Sequence, residues 1–367
     1  MKALLFAAVL AAGTFQTQQQ APPPMAGPAP FHWHDDYTEY HLLGAGTSQF
    51  HIVYFLHQRQ AGLTYVLNQT RSGSAGSDIS VSDPRTGAPL KFDYMTGKEL
   101  ADAGVPGRLA PAEHYIRAHL PRPVPAAGEG RVRIEKTYTD EKSYAASGET
   151  ITFARSLGIG RNAIVLPAGY GLVSSNVAAE IATLDDGRIR LSFENINGYA
   201  SDVSIRAARR AIPARAPSPG AASHASESAK TLYELRDDGQ VFVMHERVFR
   251  GVRDDVVLTS VPLGEFSQIT GVRAFDMDTG AELKVAPPAG SAHFASAALV
   301  PIGGEQIRSA HVRFHGTYRD PRYAVRAAGL EWSRDISEPR ATIVLPAGYE
   351  LTHAGMPVTA GTLPDGR

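Results

Sequence analysis

A chain of 367 residues with 43% hydrophobic content is long enough to bury two cores of ordinary domain size. Lys and Arg number 36 against 37 Asp and Glu, a formal charge of −1, which gives no support to a nucleic-acid or polyanion partner. The absence of cysteine excludes disulfides, thiol catalysis and thiolate metal sites.

At the N-terminus, Lys2 precedes the apolar run Ala3–Ala12 and the small residue Gly13. This is the pattern of a secretory signal peptide over residues 1–13, too short to serve as a transmembrane anchor. Export of a cysteine-free protein points to the bacterial periplasm or the exterior. Residues 14–36, rich in Gln, Pro and Ala, read as a flexible leader. At its end, His32, His34, Asp35 and Asp36 form the densest group of potential metal ligands. Imidazole and carboxylate share a divalent ion when their geometry converges, but no second ligand group at a recognised spacing accompanies them. A solvated polar segment is the expectation, and metal ligands stay unassigned.

Residues 37–206 read as a first β-module. Phe50–Leu56, Leu63–Leu67 and Arg131–Ile134 are strand candidates, with Val132 and Ile134 on one face and Arg131 and Arg133 on the other. His51 and His57 fall in or beside strands and are expected to be structural. Asn68-Gln69-Thr70 matches a glycosylation acceptor, a weak motif alone. Residues 207–229 form a linker, where Pro213, Pro217 and Pro219 argue against a continuous helix. Residues 230–367 read as a second β-module.

Three phrases recur between the modules. Arg161–Tyr170 (RNAIVLPAGY) returns as Arg340–Tyr349 (RATIVLPAGY), Phe92–Leu100 as Phe275–Leu283, and Thr137-Tyr138 with Asp140 as Thr317-Tyr318 with Asp320. The Val132/Ile134 face returns as Val312/Phe314. The order and near-constant spacing predict an internal duplication, and the short alternating segments predict an all-β fold of tandem antiparallel β-sandwich-like modules. A strongly twisted barrel is the near alternative. The second module lacks counterparts of Ile189–Arg206, so the expectation is a fragment of a longer protein, or a module completed by another segment.

No cofactor is expected, and no catalytic residue is assigned. Asp140, Asp320 and several histidines could supply a base or orienting acid to Ser174 or Ser175, but these serines lack a Gly-x-Ser-x-Gly elbow, the position matching Ser174 is His353 in the other copy, and composition alone does not supply the convergent atoms a triad needs. Glu135 and Asp140 could bracket a glycoside or carbonyl substrate, but a solvated strand edge or turn is the ordinary role of such carboxylates. His311 and His315, four residues apart on a strand, are read as sharing an outward face, too far apart for one zinc ion. Arg161 and Arg340 suit turn stabilisation or acidic ligands; Tyr138 and Tyr318 suit core packing or carbohydrate stacking. Phosphate-loop, dinucleotide and His-Glu-x-x-His motifs are absent.

A repeated framework without a repeated catalytic set points to a noncatalytic exported protein mediating protein–protein or cell-surface contact, with another protein or an envelope component as partner. A secreted hydrolase acting on glycans or peptides, or a carbohydrate-binding module, is the alternative.

Overall fold

The computed structural model describes residues 36–367, except 72–74, 196–199, 211–228, 251, 253–254, 261–267, 288–289, 291–292, 337–340, 357, 359 and 364–365. The signal segment, most of the leader with His32, His34 and Asp35, most of the linker, and Arg340 lie outside the described residues.

Among the described residues the fold is all-β, with one α-helix. The first half holds β1 (Tyr37–Leu42), β2 (Gln49–Gln58), β3 (Tyr65–Gln69), β4 (Ala75–Ser82), β5 (Phe92–Thr96), α1 (Gly97–Asp102), β6 (His114–His119) and β7 (Gly130–Thr139). It continues with β8 (Tyr144–Ser147), β9 (Thr150–Leu157), β10 (Arg161–Val165), β11 (Tyr170–Ser175), β12 (Glu180–Thr183), β13 (Ile189–Glu194) and β14 (Ser201–Arg209). The second half holds β15 (Lys230–Leu235), β16 (Gln240–Arg250), β17 (Val256–Ser260), β18 (Thr270–Asp276) and β19 (Ala281–Ala286). After them come β20 (Phe294–Ala298), β21 (Ser309–Arg319), β22 (Tyr323–Arg326), β23 (Gly329–Trp332) and β24 (Ala341–Val344).

In the first half a seven-stranded sheet, ordered β12-β13-β10-β1-β2-β7-β4, faces a four-stranded sheet, β11-β14-β9-β8. Alternate residues of each strand point to one face. Tyr40, Phe50, Ile52 and Tyr138 of the large sheet therefore meet Ile151, Phe153, Val203 and Ile205 of the small one in one core. The Phe50 and Phe153 rings lie edge-on with centroids 5.5 Å apart. Strands β2 and β7 outrun this sandwich. Their further ends carry Leu56, Val132 and Ile134 into a second core with Val66, Ile116 and Ala118 of the three-stranded sheet β3-β6-β5. The second half is built on an eight-stranded sheet, β17-β20-β19-β18-β21-β16-β15-β24, with the β22-β23 hairpin beside it. Its core gathers Tyr233, Val241, Val243, Val312 and Phe314.

Lys136 marks the join of the two cores in the first half. It is 1% exposed, donates from Nζ to Asn68 Oδ1 at 2.7 Å, and lies 5.0 Å and 5.1 Å from the Tyr54 and Tyr138 ring centroids. Asn68 is thus a buried partner rather than a surface glycan acceptor. Burial, helped by Arg155, pulls the Lys136 ammonium down to about 7. Below that pH the folded and unfolded chains both carry the charge, and the whole burial penalty applies. From about 7 toward the ordinary value of 10.5 the unfolded chain binds more protons, so stability rises with pH. Lys136→Met should flatten that rise in denaturant melts between pH 6 and 10; an unchanged slope would count against a neutral buried amine.

The halves share local pairing. β1 lies between β2, antiparallel, and β10, parallel, with Tyr40 opposite Ile52 and Ile164. β15 lies likewise between β16 and β24, with Tyr233 opposite Val243 and Ile343. Strand β4 pairs with β7 through an irregularity between Ser77 and Ser80, and β18 pairs with β21 through one between Thr270 and Arg273. The turns that follow match as well. Gly87 and Gly280 donate to the Asp83 and Asp276 carbonyls, while the amides of Arg85 and Asp278 donate to the carboxylates of the same two aspartates.

One of the three repeated phrases does not share a setting. Phe92–Thr96 is strand β5, and Thr96 then caps α1 with Glu99 in a capping box. Phe275–Leu283 instead closes the β18–β19 hairpin. The segment that resembles it in place is Asp83–Lys91, whose Asp, Thr, Gly, Ala, Leu and Lys recur at Asp276–Lys284. The IVLPAGY phrase also differs in cover. Ile164 is fully buried because β13 pairs with β10, whereas Ile343 is 42% exposed and β24 has no second neighbour among the described strands.

Candidate metal centre

The two ends of the long strand pairs meet where the halves touch. β2 carries His57 near its end, Glu129 directly precedes β7, and β21 carries His311 near its start. Each offers one ligand atom, and the three atoms lie within 4.8 Å of one another. His57 Nε2 is 3.9 Å from Glu129 Oε2, and the His57 and His311 rings approach edge-on at 5.8 Å. All three side chains are buried, Glu129 completely.

The remaining atoms show which lone pairs are free to bind an ion. His311 Nε2–H donates to Glu246 Oε1 at 2.7 Å, which leaves the lone pair on Nδ1. Burial lowers the His311 pKa to about 4 despite Glu246, so the ring is neutral near pH 7. His57 Nδ1 faces Asp36 Oδ1 at 3.3 Å, directing Nε2 toward Glu129. Asp36 would be raised by its burial, but its contacts with His57 outweigh this and lower it. Glu129 Oε1 accepts from Arg59 at 3.3 Å. Glu129 Oε2 and His311 Nδ1 are buried with no hydrogen-bond partner among the described residues. Orphaned buried polar atoms cost about 1–3 kcal/mol each, and a divalent ion held by the cluster would satisfy such atoms.

Two imidazoles and one carboxylate form a donor set that suits zinc with an open position. Each imidazole is also backed by a carboxylate, the outer arrangement that fixes tautomer and ring orientation in metal sites. The residues present fit a divalent cation. The Asp36 and Arg59 side chains at its edge are 36% and 29% exposed.

Several expectations are corrected here. His57 does have the hydrogen bonds of a structural residue, but it also joins the cluster. His311 and His315 do not face outward. They are 3% and 7% exposed, because the polar face of β21 is covered in the assembled protein. Their spacing does keep them off one ion: His315 lies between the Phe242 and Phe275 rings, and His311 is completed by residues of the other half. Of the group at the end of the leader, Asp36 is described and serves as the partner of His57. No sequence motif marks Glu129 or Glu246. The one available signal was a glutamate between Gly128 and Gly130 at the mouth of a buried strand.

The other candidates are structural. Asp140 accepts from the Ser143 hydroxyl and Arg155, and Asp320 from Trp332 and Arg334, each holding its turn. Glu135 pairs with His51 and Arg133. Ser175 Oγ donates to the Val177 carbonyl, Ser174 is exposed on β11, and His353 is exposed. Arg161 is buried beside the Tyr37 ring. Tyr138 and Tyr318 are 2% and 6% exposed, which removes them as carbohydrate platforms.

The expectation of a noncatalytic contact protein, and with it the leaning against an enzyme, fails on this cluster. A repeated framework without a repeated catalytic set does not exclude a site built from unlike parts of the two halves. The polar set is instead assembled once, from both halves, where no repeat would reveal it. No helix among the described residues is long and apolar enough to cross a membrane.

No protein-family model matches the chain, and no curated protein matches it. Among solved structures it is similar to an aminopeptidase N family protein from Idiomarina loihiensis, with 8% identity, 47% of this chain and 29% of that one covered, and a TM-score of 0.29. The chain spans less than a third of that protein's length, and a likeness of this size carries no argument about fold or activity.

Proposed function

We propose that this protein is an exported, metal-dependent hydrolase whose centre is His57, Glu129 and His311, and that its halves are duplicated copies of one β-module. The observation that carries the enzymatic reading is the convergence of one ligand atom from each of His57, Glu129 and His311 across the seam between halves, where Glu129 and His311 also each hold a buried polar atom with no hydrogen-bond partner among the described residues. The matching strand pairings and turns support the duplication. Lys2 and the apolar run after it support export.

A divalent ion held there would supply Lewis acidity toward a carbonyl oxygen and lower the pKa of water. The chain's own residues do the rest. Asp36 and Glu246 hold the two imidazoles in register. Arg59, bound to Glu129 on the more exposed side, offers a fixed cation where negative charge would develop on an acyl group. Peptides fit this arrangement better than glycans, whose hydrolysis ordinarily uses two carboxylates flanking the bond.

The test is to purify the full chain from its native compartment, measure bound metals by mass spectrometry, and assay peptide and glycan libraries before and after chelation. One equivalent of zinc and chelator-sensitive peptide cleavage are expected. A metal-free protein, or cleavage indifferent to chelation, would overturn the reading. Turnover that needs ferrous iron and dioxygen would move it to the oxygenases, which use a similar donor set.

A further inference from the structure

The ligands come from both halves, and one turn touches the main chain of two of them. Residues Asp276–Gly280 connect β18 to β19. Met277 N–H donates to the His311 carbonyl at 2.8 Å, and the Met277 carbonyl accepts from Glu129 N–H at 2.7 Å. A single residue of the turn therefore spaces Glu129 from His311. The next residue secures the same pair. Asp278 Oδ2 accepts from His311 N–H at 3.3 Å, and the Asp278 carboxylate takes both Nε and Nη2 of Arg131, two residues after Glu129.

The turn itself is clamped from the first half. Arg85 reaches Asp276 at 3.0 Å, Asp278 at 3.5 Å and Glu305 at 2.6 Å, and its carbonyl accepts the amides of Arg308 and Ser309. Gly128 permits the contact: a Cβ there would stand 2.6 Å from the Met277 carbonyl oxygen and 2.9 Å from the Gly280 nitrogen. Both are backbone atoms, so a side chain at residue 128 has to displace the turn.

We propose that the Asp276–Gly280 turn is a positioning element. Through the Met277 main chain and the Asp278 carboxylate it sets the distance between Glu129 and His311, and so the affinity of the centre for a divalent ion. This inference rests on the metal reading above. Metal sites tolerate distance errors of only about 0.2 Å, and displacing the turn shifts one ligand relative to the other. The turn touches neither substrate nor ion.

The experiment uses the full chain, with zinc titrated against a chromophoric chelator and cobalt(II) absorption as a reporter of geometry. Gly128→Ala alters spacing without altering charge, and Asp278→Asn removes the charge without altering shape. Each should weaken zinc binding about 10- to 100-fold, as loss of outer support does in known sites, and should change the cobalt spectrum. Arg122, 27% exposed, donates to the Asp278 carbonyl at 3.4 Å. Arg122→Gln removes support from the turn and leaves Glu305, which it also contacts at 3.7 Å, paired with Arg85, so it serves if the other two fail to fold, and it should also weaken binding. If wild type binds zinc and the folded variants match its affinity and spectrum, the positioning role is wrong and the metal centre stands. If wild type binds neither ion, the metal reading falls and this inference with it.

Discussion

His311→Ala should abolish stoichiometric zinc binding and chelator-sensitive hydrolysis together, whereas His315→Leu, four residues along the same strand, should keep both. His311 supplies the one imidazole that the second half gives to the cluster, and its Nδ1 has no hydrogen-bond partner among the described residues. Its loss leaves a histidine and a glutamate from the first half, and two ligands do not hold a structural or catalytic zinc. The weakening should exceed the roughly 100-fold that removal of an outer partner costs. The stability cost should be modest, about 1–3 kcal/mol for the broken bond to the Glu246 carboxylate. His315 is also buried and also lowered to about 4, chiefly by burial, but it sits among Phe242 and Phe275. A leucine fills similar space there. Metal content by mass spectrometry separates the two variants. One equivalent of zinc retained by His311→Ala would remove the centre from consideration.

The contrast between these two histidines shows what the sequence held and what it did not. Alternation along Arg131–Ile134 and His311–Phe314 placed Val132, Ile134, Val312 and Phe314 inward, and all four are buried. The same alternation puts Arg131 on the opposite face of its strand and His311 on a face read as outward. Period-2 patterning separates the two faces of a strand, but it does not say whether the second face meets water or another part of the protein. Here the second face is the seam, and its charged residues are paired instead of solvated: Arg131 with Asp278, Arg313 with Glu246. Glu129 is less legible still, since its cluster partners lie on β2 and β21 and nothing local to Gly128–Gly130 names them. Likeness of letters has a related limit. The phrase at Phe92 resembles the one at Phe275 in letters, but the pairing of β4 with β7 puts Asp83–Lys91 in that position. Strand neighbours decide which likeness is structural.

Glu246→Ala should be among the most destabilising single changes in the second half, by about 3–5 kcal/mol, because it strands buried cations. Glu246 is fully buried. Its Oε1 meets His311 Nε2 at 2.7 Å and Lys230 Nζ at 3.4 Å, and its Oε2 meets Arg313 Nη2 at 2.5 Å. Burial would raise this carboxyl, yet Arg313, Lys230 and His311 together hold it well below the ordinary 4.5. A depressed folded value means its contribution is full above about 4.5 and is lost as pH falls through the folded value. Glu246→Gln should therefore cost most near neutrality and converge on wild type in strong acid. Denaturant melts at pH 7 and pH 3 measure both effects, and a loss at pH 7 below about 1 kcal/mol for Glu246→Ala would sink the argument. The same change releases the His311 ring from its tautomer, so metal affinity should fall with stability. A variant that lost stability but kept its zinc affinity would show that Glu246 holds the seam together without orienting the ligand.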